Sequence, residues 1–134
     1  MFCKFCQYEF FRQWKALKAY AGSRGVRIIG DLPFYVAADS VDVWANRELF
    51  LLEADGTPRD VAGAPPDAFS TEGQKWGSPI YDWNRMEEEN YAWWQKRMHK
   101  SRELFDVVRL DHFIGIVTRK EIIKYCYKEM KKNA

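Results

Sequence analysis

Val107-Val108-Arg109-Leu110-Asp111-His112-Phe113-Ile114-Gly115 is a short β-branched run that ends in a carboxylate, with an arginine two residues before it. Side chains alternate along a strand, so Val107, Arg109 and Asp111 share one face while Val108 and Leu110 share the other. A guanidinium on the same face favours the charged form of the aspartate. An ionised, oriented carboxylate at the C-terminal end of a strand is what a parallel α/β enzyme uses as nucleophile or base. A salt-bridged strand end without chemistry has the same pattern, so the rest of the chain must decide between them.

Working outward, Phe10, Trp14, Leu17 and Ala21 recur at helical spacing until Gly22 and Gly25 break the pattern, which predicts an amphipathic helix over residues 8–22. Val26–Ile29 reads as a short buried strand that empties into Gly30-Asp31-Leu32-Pro33. Helix, glycine, strand and acidic turn follow one another as in a βα unit of a parallel sheet. Residues 39–46 suit a short helix or turn. Glu48–Glu53 reads as a strand, turned at Asp55-Gly56 into a second extended stretch over Pro58–Ala62. From Ala62 to Trp83 the chain is rich in Gly, Pro and Ser and reads as a long loop, which inside a compact domain is usually functional. A helix is expected over Asn84–Leu104 and a strand over Phe105–Leu110.

The predicted class is therefore α/β. Two parallel strands with their helices close neither a barrel nor a covered sheet, so the body reads as a slice of something larger. At 134 residues the chain has the length of one ordinary domain. Its formal net charge is +2, but residues 1–118 hold 15 Lys/Arg against 17 Asp/Glu, while residues 119–134 hold six against two. The basicity belongs to the tail, and with no basic stripe through the body no nucleic-acid partner is expected. No apolar run approaches membrane-spanning length and the N-terminus lacks a signal-peptide core, so no membrane partner is expected. Three cysteines, one of them distant, suit a reducing cytoplasm. Cys3-Lys4-Phe5-Cys6 has the spacing of a zinc half-site or redox pair. Only Cys126, His99 and His112 remain as further ligands, at no zinc-like spacing, and no strand precedes the pair, so the cysteines are read as incidental.

Parallel strands show their C-terminal ends at one face, so Asp31 and Asp111 are expected to look into one cleft. Between them in sequence, Val61–Tyr81 offers Phe69, Trp76 and Tyr81 as flat surfaces and Asp67 and Gln74 as hydrogen-bonding groups. Carboxylates beside aromatic platforms suit a sugar, which presents hydroxyls and apolar C–H faces together. A rigid structural lid without a ligand is the plainer alternative.

Four segments then match one family. Gln7–Tyr20, Ile29–Trp44, Val61–Trp83 and Arg109–Gly115 resemble, in order and spacing over roughly residues 5–117, the 4-α-glucanotransferases (amylomaltases or disproportionating enzymes) of glycoside hydrolase family 77. The resemblance implies a (β/α)₈ TIM barrel of which this chain supplies the third and fourth strands, with the insertion and lid loop between them at about 45–83 and the lid itself at Asp67–Gly77. It implies a transferase of carbohydrate metabolism that moves α-1,4-glucan segments between maltooligosaccharides by a retaining double displacement, without metal or cofactor. On that mapping Asp111 is the nucleophile and Arg109 keeps it ionised and oriented. Asp31 falls at a sugar-contacting position, and Asp67, Phe69, Gln74 and Trp76 lie on a mobile lid over the subsites. His112 adjoins the nucleophile and helps bind the sugar or supports the strand end.

A retaining enzyme also needs an acid/base carboxyl, which in the family lies beyond the fourth strand. Glu121 and Glu129 lie in that direction but in no matching motif. After about Val117 the sequence leaves the family pattern, an abrupt change that a premature end or a frameshift would produce. The expectation is a fragment, residues 1–117, with a divergent tail over 118–134 and no turnover of its own. The alternative is a non-catalytic glucan-binding or interaction module derived from the same family.

Overall fold

The computed structural model describes residues 1–66, 68 and 70–112. Its helices and strands run in the order α1 (Phe2–Ser23), β1 (Ile29–Leu32), α2 (Val41–Ala45), a 3₁₀ turn at Arg47–Leu49, β2 (Val61–Ala64), β3 (Gln74–Pro79), α3 (Trp83–Glu88), α4 (Ala92–Leu104) and β4 (Val107–Leu110). The chain divides into two compact units, one of Met1–Leu32 with the chain from Trp94 onward, the other of Pro33–Trp93.

In the first unit β1 and β4 pair in parallel with Ile29 opposite Val107 and Asp31 opposite Arg109. The expected parallel neighbours are therefore present, but β1 lies three residues later than the Val26–Ile29 run. Asp106 causes the shift. Its carboxylate accepts the Ile28 N–H at 2.8 Å, and the Ile28 carbonyl accepts the N–H groups of Asp106 and Val107. The regular ladder thus begins at Ile29, and Asp31 sits inside the strand rather than in a turn after it. Ile29, 68% exposed, faces outward, while Gly30 and Leu32 are buried. Gly30 is required there, because a Cβ would stand 2.0 Å from the Phe105 ring.

Helix α1 packs along one edge of the stripe its spacing suggests, with Trp14 and Ala21 half-buried beside Lys18. Phe10 and Leu17 are about half exposed, and no residue of α1 is fully buried. The main contact is made by Trp14, whose Nε1 donates to the Leu104 carbonyl at 2.8 Å and whose ring meets Phe105 edge-on. Lys18 donates to the Glu103 carbonyl, and the Lys100 ammonium lies over the Phe11 ring. The helix also starts earlier than residue 8 and takes in Cys3 and Cys6, both exposed free thiols.

The second unit has an aromatic core. Tyr81, 1% exposed, donates its hydroxyl to the Phe34 carbonyl and meets the rings of Phe34, Phe50, Trp83 and Trp93. Short helices are fixed by their caps. The Ser40 hydroxyl accepts from Val43 N at the start of α2, and the Asp82 carboxylate accepts from Arg85 N at the start of α3. Asp55-Gly56 does turn the chain back on itself. However, a single bridge, Leu52 to Pro58, flanks it in place of the expected strands, and Phe50 bridges to Tyr81. The extended pairing is made by β2 and β3, antiparallel and irregular between Val61 and Gly63, within the stretch read as loop. The helix expected over Asn84–Leu104 is two helices. Asn90 and Tyr91 take φ of +53° and +56° between them, and the Tyr91 N–H closes on the Met86 carbonyl.

Candidate active site at the strand ends

The parallel register sets the site. Asp31 and Arg109 are direct cross-strand partners on the exposed face, and Asp111 follows one step beyond Arg109 on the same face. Asp111 is tied to the neighbouring strand by its N–H, which donates to the Leu32 carbonyl at 3.2 Å. Arg109 donates from Nε and from Nη2 to the two carboxylate oxygens of Asp31, both at 2.8 Å. Its Nη2 also stands 3.5 Å from Asp111 Oδ1.

The two carboxylates are therefore brought together, as the alternation predicts, but the guanidinium divides itself unequally. Asp31, expected at a sugar-contacting position, receives the whole fork. Asp111 receives one long contact. The hydrogen bonds from Arg109, and then its charge, hold the Asp31 carboxyl below the usual carboxylate range, and the same partner raises Arg109 further. All three side chains are about half exposed or more, so the cluster is open to a ligand. His112 follows with φ +48°, in the left-handed region that turns the chain away from the strand.

The second unit carries the other candidates. Trp76 is 40% exposed on β3 and its Nε1 donates to the Gln74 amide oxygen at 3.0 Å, so the two residues sharing that face steady one another. Sequence reasoning passed over Tyr35. Its ring lies parallel to Tyr81 at 5.8 Å between centroids and stands 6.0 Å from Trp76, while partial burial raises its phenol and keeps it neutral. The Pro33-Phe34-Tyr35 run after a strand end was the available signal. A cavity of about 520 Å³ opens against the hairpin beside Gly63, Pro65, Glu72 and Gln74, within the size range of small-ligand pockets. Asp67 and Phe69 lie outside the described residues, as do Phe113 onward, Glu121, Cys126 and Glu129. Among the described residues no three His, Cys, Asp or Glu side chains gather into a metal-binding group.

The family model for 4-alpha-glucanotransferase, glycoside hydrolase family 77, matches residues 1–131. The chain belongs to this family. The matched span takes in most of residues 118–134 as well. A 4-alpha-glucanotransferase of Clostridium butyricum is 54% identical over 113 residues, which is 84% of this chain and 23% of that protein. One from Thermus thermophilus is 51% identical over 125 residues, covering 93% of the chain and 25% of the relative. A chloroplastic/amyloplastic 4-alpha-glucanotransferase of Solanum tuberosum is 52% identical over 81% of the chain and 19% of its own length. Among solved structures, an amylomaltase from Streptococcus agalactiae in complex with acarbose superimposes with a TM-score of 0.79 at 48% identity, over 82% of this chain and 22% of that one. The chain thus spans between 19% and 25% of the length of these relatives. Its fold is mixed α/β and similar to part of an amylomaltase, with no closed barrel among the described residues.

Proposed function

We propose that this segment carries the nucleophile end of a 4-α-glucanotransferase site, on two adjacent strands of a (β/α)₈ barrel. The observation that carries the reading is the shared strand-end face of Asp31, Arg109 and Asp111 in a chain of this family. In the reaction, an oxygen of Asp111 bonds to the anomeric carbon of an α-1,4-glucan as the bond from that carbon to the departing glucan breaks. The departing oxygen takes its proton from a second carboxylic acid, a part that none of the described residues takes. A hydroxyl of the acceptor glucan then gives its proton to that group and displaces Asp111, so two inversions retain the α configuration. Arg109 sets its positive charge beside Asp111, with Nη2 3.5 Å from Oδ1.

Trp76 and Gln74 are the sugar-facing pair of the insertion, with Asp67 and Phe69 on the same loop, and His112 supports sugar binding next to the nucleophile. Sugars bind by stacking C–H faces on rings and by hydrogen bonds to hydroxyls, and this loop supplies both. Maltooligosaccharides are the proposed partners, with no metal or cofactor in the chemistry. A cytoplasmic location agrees with the exposed free thiols at Cys3 and Cys6, and no helix among the described residues is long and apolar enough to cross a membrane.

The test is made in a full-length enzyme in which residues 1–112 replace the aligned segment of the Clostridium butyricum relative. Asp111→Asn keeps the shape and removes the nucleophile, so glucose release from maltotriose is expected to fall by orders of magnitude while oligosaccharide binding persists. Near-normal transfer in that variant would assign the nucleophile elsewhere. Binding without turnover in the parent chimera would favour a glucan-binding module.

A further inference from the structure

An arginine fork that closes on both oxygens of a carboxylate satisfies it and blunts it as an attacking group. At this strand end the fork of Arg109 closes on Asp31, at 2.8 Å on both arms, and only Nη2 reaches toward Asp111, at 3.5 Å. The arrangement follows from the register. Asp31 stands directly across from Arg109, whereas Asp111 lies two residues along Arg109's own strand. Directly opposed residues have the closest side chains in a sheet, so the cross-strand aspartate wins the fork.

We propose that Asp31 is a positioning residue that holds the guanidinium fork of Arg109, so that Asp111 keeps a charged neighbour yet stays free to attack. The inference rests on the reading of Asp111 as nucleophile and gives Asp31 a task distinct from touching sugar. It accounts for two acidic residues and one arginine on this face. With Asp111 alone, the arginine would cap it. With no arginine, it would have no positive neighbour on this face. With Asp31 present, Arg109 exerts its charge on Asp111 at one long contact and spends its directional hydrogen bonds elsewhere. Among the described residues the charged groups of this face are Asp31, Arg109 and Asp111, with His112 next along the chain.

The experiment uses the full 134-residue chain, labelled with nitrogen-15, and follows the Nε–H resonance of Arg109 and its exchange with solvent. Each Asp→Asn change is isosteric at a side chain about half exposed, and the backbone amide pattern of β1 and β4 reports that the strands still pair. In the parent chain and in Asp111→Asn the resonance is expected at the same position with the same slow exchange. In Asp31→Asn it is expected to move and, on acidification, to follow a new carboxylate. Adding Asp111→Asn is expected to abolish that response and speed exchange about tenfold, the loss of a charge-assisted hydrogen bond. A passive structural role for Asp31 would not exchange one titrating partner for another. Three results would overturn the proposal: loss of protection in Asp111→Asn alone, an unmoved resonance in Asp31→Asn, or a double variant that behaves as Asp31→Asn does. Turnover plays no part in this readout, so its failure is distinct from that of the nucleophile assignment.

Discussion

At the scale of single residues, Asp31 is the side chain whose surroundings differ most from a simple sugar contact. Its lowered carboxyl makes a definite prediction for stability against pH. A group whose folded pKa lies below its unfolded value stabilises the fold above the unfolded value, about 3.9 for aspartate. That contribution fades as pH falls through the lower folded value. Glu9, Glu103 and Asp106 are lowered as well, by Arg12, by Lys100 and by the Ile28 N–H respectively. The informative quantity is therefore the difference between the parent chain and Asp31→Asn. Urea unfolding at a series of pH values is expected to show the variant less stable near neutrality, with the gap closing below about pH 4. A gap that stays constant down to strong acid would mean that Arg109 does not discriminate the charged form of Asp31. The half-exposed setting keeps the effect small and salt-sensitive. The carboxylates themselves were legible from the sequence, because strand alternation placed Arg109 and Asp111 on one face. Which of them owns the fork was not, since that depends on the register between two strands 78 positions apart.

At the scale of elements, periodicity found the elements and missed their edges. Asp106 moved the start of β1 through one side-chain hydrogen bond to Ile28, a long-range contact without any local signature. The break between α3 and α4 has neither glycine nor proline. Asn90 and Tyr91 adopt left-handed angles, which cost about 1–2 kcal/mol per residue, and the burial of Tyr91 and Trp93 offsets that cost. The β2–β3 hairpin hid among Gly, Pro and Ser because it is built around close backbone approach. A Cβ at Gly63 would stand 2.2 Å from the Gln74 carbonyl oxygen, so glycine is a packing requirement there. Trp76 is held on this hairpin by Gln74. If residues 67–77 act as a lid over bound glucan, Trp76→Ala in the full-length chimera should weaken oligosaccharide binding and raise the ratio of hydrolysis to transfer. Weaker binding at an unchanged ratio would leave Trp76 as a stacking surface alone. The product ratio from maltotriose and the affinity for a longer maltooligosaccharide are the two measurements needed.

At the scale of the whole molecule, the α/β class, the parallel pairing of the two strands and the family were readable from the sequence, because four long motifs kept their order. The packed face of α1 was readable only in part. Phe10, Trp14, Leu17 and Ala21 define an apolar stripe, yet Phe11, Trp14 and Lys18 make the contacts to α4 and Phe105. Helix α1 is apolar on more than one side, so the 3.6-residue period alone does not choose the buried side. Asp111, held near Arg109 but not capped by it, is the group proposed to become glycosylated. The most direct measurement is to trap that intermediate. The full-length chimera is treated with a glucosyl fluoride whose ring fluorine slows the second displacement, then digested, and the peptides are weighed. One glucosyl unit is expected on the peptide that contains Asp111, with no label in Asp111→Asn. A label on Asp31, or an unlabelled Asp111 peptide from an enzyme that still transfers glucan, would assign the nucleophile elsewhere.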